Sequence, residues 1–252
     1  MLPRGHTLTF SVDLIDMLRR AAGTPHEVHE VGSEVYIASR IEILMDHGMQ
    51  NTCLDKKSQT PLMVAAMRGD GTCARDLLSQ QLYADAIKVV RMRQCDQWDA
   101  VRIAARKGKH MVIDEIFHAL MDMNEEKAKL DIHHILHNHR HNLDAPLSLA
   151  CQHGSHGSVE ILLKWGASPF YDDVRGQSPL YIASIAGHSH LIACLTKTLV
   201  IRDNGTISQV IATLSATKAN PWTPLCVAAH YGHAGVIIKL TAFITWLHDK
   251  FP

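Results

Sequence analysis

The sequence predicts an all-α fold, a solenoid of stacked helix–turn–helix units. Two observations carry that reading. The stretch Ala145-Pro146-Leu147-Ser148-Leu149-Ala150-Cys151-Gln152-His153-Gly154 is rewritten as Ser178-Pro179-Leu180-Tyr181-Ile182-Ala183-Ser184-Ile185-Ala186-Gly187, 33 residues later and without a gap. A fixed period of this length marks supersecondary units that cannot bury their apolar faces alone and must stack. The pattern also recurs at Thr60–Gly69 and Thr223–Gly232, and in a worn form lacking its proline at Asp99–Gly108. A further copy keeps only its second half, Ile41–Met49. It stays in register, because 13 residues separate Gly48 from Pro61 and Gly166 from Pro179 alike.

Each element of the pattern has a physical reading. Thr or Ser before Pro is a helix N-cap followed by proline at the first helical position, where the missing N–H costs nothing. Leucine and the small pairs Ala65-Ala66, Ala104-Ala105, Ala150-Cys151, Ala183-Ser184 and Ala228-Ala229 recur at helical spacing. Small side chains let neighbouring helices approach. The glycines Gly69, Gly108, Gly154, Gly187 and Gly232 close the first helix as left-handed caps. A second apolar stripe then begins four residues on, as in Val112, Ile113 and Ile116, or Val236, Ile237 and Leu240. That is the period of an amphipathic helix.

Thr-Pro-Leu, then Ala-Ala, then Gly, then the Val-x-x-Leu-Leu-x-x-Gly-Ala of Ser158–Ala167 resembles the ankyrin repeat, over roughly residues 40 to 245. The resemblance implies helical hairpins joined by β-turn fingers, a concave groove, and protein–protein recognition without catalysis. The family histidine after Thr-Pro-Leu is replaced by Met63, Arg102, Ser148, Tyr181 and Cys226. The asparagine four residues after the second-helix glycine is replaced by Thr52 and Phe170. Both losses predict irregular fingers and reduced stability.

The expected organisation is one elongated domain, 1–252. It comprises a capping helix region (1–27), a degenerate first repeat (28–57), then repeats over 58–96, 97–142, 143–175, 176–220 and 221–252. Spacings at the Thr-Pro position are 39, 46, 33 and 45 residues, so three junctions carry insertions. In the first, Gln80 to Gln94, the helical spread of Leu82, Ile87, Val89 and Val90 predicts a longer second helix. In the last, Asp203 to Asn220, Thr206 and Gln209 fit a capping box, and Ile207, Val210, Ile211 and Leu214 share one face of an extra helix.

The middle insertion concentrates five of the 18 histidines: His133, His134, His137, His139 and His141. On a helix, His133, His137 and His141 follow at i+4 with a drift of about 40° per step. Imidazoles so placed suit zinc, copper or nickel. No His-Glu-x-x-His and no nearby cysteine supports a metal centre there. The competing reading is a polar finger with Ile132, Ile135 and Leu136 tucked inward. No phosphate loop, Gly-x-Ser-x-Gly or Cys-x-x-Cys is present, so neither enzyme nor cofactor is expected.

Lys and Arg balance Asp and Glu at 25 each, which argues against a general affinity for nucleic acid. No apolar run reaches the length of a membrane span, and Asp13 and Asp16 interrupt the N-terminal pattern a signal peptide would need. The six cysteines show no short paired spacing, which fits reduced thiols in a cytoplasmic or nuclear setting. Carried over by register, the resemblance places a partner protein on Met67, Arg68, Arg106, Lys107, Gln152, His153, Ile185, His230 and Tyr231, with Trp98, Tyr181 and Trp222 from the fingers. The leading expectation is a non-catalytic adaptor, scaffold or assembly subunit. A second is a regulatory or microbial effector protein whose histidine-rich insertion holds metal.

Overall fold

Each repeat begins where the sequence places a cap. Thr60, Ser178 and Thr223 accept the backbone N–H of Met63, Tyr181 and Cys226 at 3.2, 3.2 and 3.1 Å, with proline at the first helical position. In the worn copy Asp99 takes over, accepting from the Arg102 N–H at 2.8 Å and pairing with its guanidinium in a buried contact. Ala145 has no side chain to offer, and Pro146 alone starts its helix.

The computed structural model describes residues 59–93, 98–137, 145–170, 177–202, 207–215 and 221–250. The expected capping region and first repeat, with His139, His141 and Thr206, lie outside the described residues. Thirteen helices and no strand are found among them: α1 (Pro61–Arg68), α2 (Gly71–Ser79), α3 (Tyr83–Arg91), α4 (Ala100–Lys107), α5 (His110–Met123), α6 (Glu125–His137), α7 (Pro146–Gln152), α8 (His156–Lys164), α9 (Pro179–Ile185), α10 (Ser189–Arg202), α11 (Ile207–Leu214), α12 (Pro224–His230) and α13 (Ala234–Lys250). The first helices α1, α4, α7, α9 and α12 pack in one row, and the second helices α2, α5, α8, α10 and α13 in another. Ala65, Ala66, Ala104, Ala105, Ala150, Cys151, Ala183, Ser184 and Ala228 are buried at these contacts, as the small-residue pairs require.

One insertion departs from its expected form. Its described part, residues 80–93, does not lengthen α2. Gln81 turns its N–H to the Leu78 carbonyl (3.1 Å) and its side-chain amide to the Leu77 carbonyl (2.8 Å), and α3 starts anew at Tyr83. The break lets Ala86, Val89 and Val90 reach the core beside α4 and α5, which a straight extension of α2 would not allow, and it leaves Leu82 exposed. In the middle insertion Ile132, Ile135 and Leu136 are buried as expected, but the segment through His137 is helix rather than finger. The Tyr83 hydroxyl donates to Asp131 at 2.7 Å, joining the two insertions. In α11, Val210 and Thr213 are buried while Ile211, expected on the inner face, is exposed.

Adjacent units lock through their cap glycines. Gly69, Gly108, Gly154 and Gly187 all have positive φ, from 71° to 92°. A β-carbon on them would meet Lys109, Ser155, His188 and His233 at 2.7, 3.0, 2.6 and 2.7 Å. Those four are the residues following the next unit's cap glycine. His188 Nε2 donates to the Gln152 carbonyl (3.2 Å), His190 Nε2 to that of Gly154 (3.0 Å), and His233 Nε2 to that of Ile185 (2.8 Å). A carbonyl only accepts, so each Nε2 carries a proton. The ties expected to be lost with the family histidine are supplied here by other histidines.

Gly187→Val combines left-handed strain with displacement of the His233 ring. Strain of this kind costs on the order of 1–3 kcal/mol, and a lost hydrogen bond about 1 more. Gly232→Val meets nothing within 4 Å and carries the strain alone. Urea denaturation should therefore rank Gly187→Val as the more destabilised variant. Equal losses would show that the His233 seat contributes nothing.

Candidate partner-binding surface

The residues two and one before each cap glycine fall at the same end of successive first helices. The first row runs Met67, Arg106, Gln152, Ile185, His230, and the second Arg68, Lys107, His153, Ala186, Tyr231. Stacking in register sets such side chains side by side, because each unit meets its neighbour in nearly the same way. Arg68, Arg106, Lys107, Gln152, His153, His230 and Tyr231 are exposed; Met67 and Ile185 are half-buried. Neither row contains an acid.

The basic end is organised around Trp98. The Arg106 guanidinium lies over its ring, 4.9 Å from the centroid, and the indole is half-buried against the core. His153 follows in the next unit. Burial holds its imidazole below the usual pKa, and Arg106, His188 and Lys107 add repulsion in that order. Arg106 and Lys107 are thus close enough to His153, in the next unit, to disfavour its protonation. At the other end Trp222 meets His230 edge-on (5.1 Å), His230 meets Tyr231 (5.0 Å), and Tyr231 stacks on His233 (6.1 Å). Trp222 and Tyr231 remain substantially exposed.

Tyr181 does not join this surface. It is buried among its neighbours, at the register position of Met63, Arg102 and Ser148, which are buried too. The histidine insertion is likewise only partly assembled. The rings of His133 and His137 lie 4.2 Å apart. His137 Nδ1 donates to the His133 carbonyl (2.9 Å), and its Nε2 accepts the Ser168 N–H (3.2 Å), which fixes the neutral Nδ1–H tautomer. A metal at Nε2 would have to displace Ser168. Among the described residues no three of His, Cys, Asp and Glu gather to hold an ion. Sequence reasoning missed His188 and His233, although the repeated Gly-His at 187–188 and 232–233 marks them.

No family model matches the chain. Over 104 residues it is 34% identical to NF-kappa-B inhibitor alpha of Rattus norvegicus, an overlap of 41% of this chain and 31% of that protein. The same protein of Mus musculus matches at 33% over the same length and shares. Ankyrin repeat protein nuc-2 of Neurospora crassa is 36% identical over 88 residues, 35% of this chain and 7% of that one. The matched region thus spans about a third or less of these relatives. Two rows of helices, cap glycines in register and these relatives agree.

The chain is an ankyrin-repeat solenoid.

Within the ankyrin frame the exposed rows lie at the ends of the first helices, and no described helix is long and apolar enough to cross a membrane. Cys73, Cys151, Cys194 and Cys226 are free thiols. Burial pushes Cys73 up to about 12 and raises Cys151 as well, whereas Cys226 is exposed.

The cationic crowding at His153 is measurable. Its folded pKa is depressed, so the unfolded chain binds the proton first. This group's contribution is complete above the unfolded pKa, near 6.5, and is lost as pH falls toward the folded value. NMR titration of the His153 ring should give a pKa below 6.5 that rises in Arg106→Gln/Lys107→Gln. A pKa indifferent to that change would separate His153 from the basic end.

Proposed function

We propose that this chain is a non-catalytic binding protein that holds an acidic, partly apolar segment of a partner protein along its exposed rows. The observation that carries the reading is the ordered chemistry of those rows. Arg68, Arg106 and Lys107 give positive charge over two units, and Trp222, His230 and Tyr231 give an exposed aromatic end. Tryptophan, tyrosine and arginine are the residues most often found at the energetic centre of interfaces. The relatives support the class: one is named as an inhibitor of another protein, the other as an ankyrin repeat protein. Acidic carboxylates would lie against the basic units, and a leucine or aromatic side chain against Trp222 and Tyr231.

Charge on this surface steers association more than it deepens affinity. A fluorescent peptide alternating glutamate and leucine serves as probe, with its lysine–leucine counterpart as control. Arg106→Glu with Lys107→Glu should slow capture of the acidic peptide by about tenfold at low ionic strength, with little effect in concentrated salt. The helical circular dichroism should not change. Equal capture of both peptides, or an association rate untouched by the reversal, would remove the basic end from the docking site.

A further inference from the structure

The exposed rows pass through a histidine cluster at the end of α7. That helix packs against α4, α8 and α9. To its C-terminal end α4 brings Arg106 and Lys107, α8 brings His156 and Glu160, and the turn after α9 brings His188 and His190. The last two donate to the carbonyls of Gln152 and Gly154, so they bond the backbone on either side of His153. Their rings lie 5.7 Å apart, and that of His190 is 6.1 Å from His156. His153 itself is exposed and feels both the α4 cations and His188. Among the described residues the one acid that meets the cluster is Glu160, 3.3 Å from His156 Nε2.

Protonation costs this junction none of its bonds. His188 and His190 each spend the Nε2 proton on a carbonyl, and among the described residues neither Nδ1 has a hydrogen-bond partner. A proton taken up at Nδ1 leaves the carbonyl bonds in place and makes them charge-assisted. His137 differs, because its Nε2 accepts the Ser168 N–H and a second proton there would break that contact. At His153 the proton is opposed by burial and by Arg106, His188 and Lys107. A carboxylate laid against Arg106 and Lys107 would cancel their repulsion and accept a hydrogen bond from the imidazolium.

Granted the docking of an acidic segment along the exposed rows, we propose that its capture takes up a proton at His153, so that the complex tightens as pH falls through the range where imidazole titrates. The sign follows from linkage. The complex holds the His153 proton more firmly than the free chain does, so binding draws a proton from solution, and affinity rises until the free chain is protonated as well. The partner's carboxylates act in the opposite sense. Held by cations they release protons, and they do so only near their ordinary range, about pH 4. Once charged, His153 extends the positive run of Arg68, Arg106 and Lys107 into a third unit.

The test uses the full chain and the fluorescent glutamate–leucine peptide. Calorimetry at about pH 6.5, in two buffers of different ionisation heat, should show uptake of roughly half a proton or more per peptide bound. The Kd should fall about tenfold between about pH 7.5 and pH 5.5, the change expected for one unit of difference between free and bound pKa. The NMR titration of the His153 ring should move upward when the peptide is added. His153→Gln should remove most of the proton uptake and flatten the pH dependence. Capture without proton uptake, or uptake that survives His153→Gln, overturns the proposal and leaves the docking of acidic segments standing. A chain that captures the acidic peptide no better than the lysine–leucine peptide at either pH overturns both.

Discussion

The structure depends on how closely one unit approaches the next, and that approach is set at the cap glycines. A left-handed glycine serves two purposes here. It ends the first helix without a β-carbon penalty, and it clears the space into which the next unit's Lys109, Ser155, His188 or His233 is seated. The small pairs beside it, from Ala65-Ala66 to Ala183-Ser184, keep the first helices in contact at the same spacing. No junction gains from being longer or shorter than its neighbours. The insertions obey this constraint: all three fall after a second helix, following α2, α5 and α10, and none enters the first-helix row. Irregular spacing along the sequence therefore coexists with a regular surface.

What the sequence reveals and conceals follows from the range of the forces involved. The first helices were legible because their boundaries are local chemistry. Thr60, Ser178 and Thr223 cap within three residues, and each glycine stops its helix regardless of what packs above it. The break between α2 and α3 was not legible. Leu82 and Val89 both fit a helical stripe, yet one is exposed and the other buried, because α4 and α5 lie to one side only. Tyr181 and Cys226 show the same limit at the site. They hold one register position, but a following unit covers the tyrosine and none among the described residues covers the cysteine. Side-chain exposure in a solenoid belongs to the pair of units, not to the repeat.

The histidines divide along similar lines. Clustering drew attention to His133, His137 and His141, where the described geometry uses His137 to tie α6 to the Ser168 backbone. The isolated His188 and His233 hold the stack together instead. Both sets use imidazole as a directional hydrogen-bonding group, and neither arrangement needs charge. Protonation matters mainly at His153, which lies among Arg106, Lys107 and His188 with no acid among the groups that shift it.

That distribution explains how a chain of zero net charge acquires a polar sense. Away from the exposed rows several acids have partners: Glu115 has Arg75, Asp114 has Lys164 and Trp165, Glu125 has Lys129, and Glu160 has His156. The exposed rows of the first helices carry Arg68, Arg106 and Lys107 and no carboxylate to answer them. Most of those outer pairs are solvent-exposed and contribute little to stability. A nucleic acid backbone laid along those rows would find three cations and then Ala186, Trp222 and Tyr231, too few contacts to release many counterions. A protein segment that is acidic at one end and apolar at the other would match the rows along their whole length, and this match is why the proposed partner is a polypeptide.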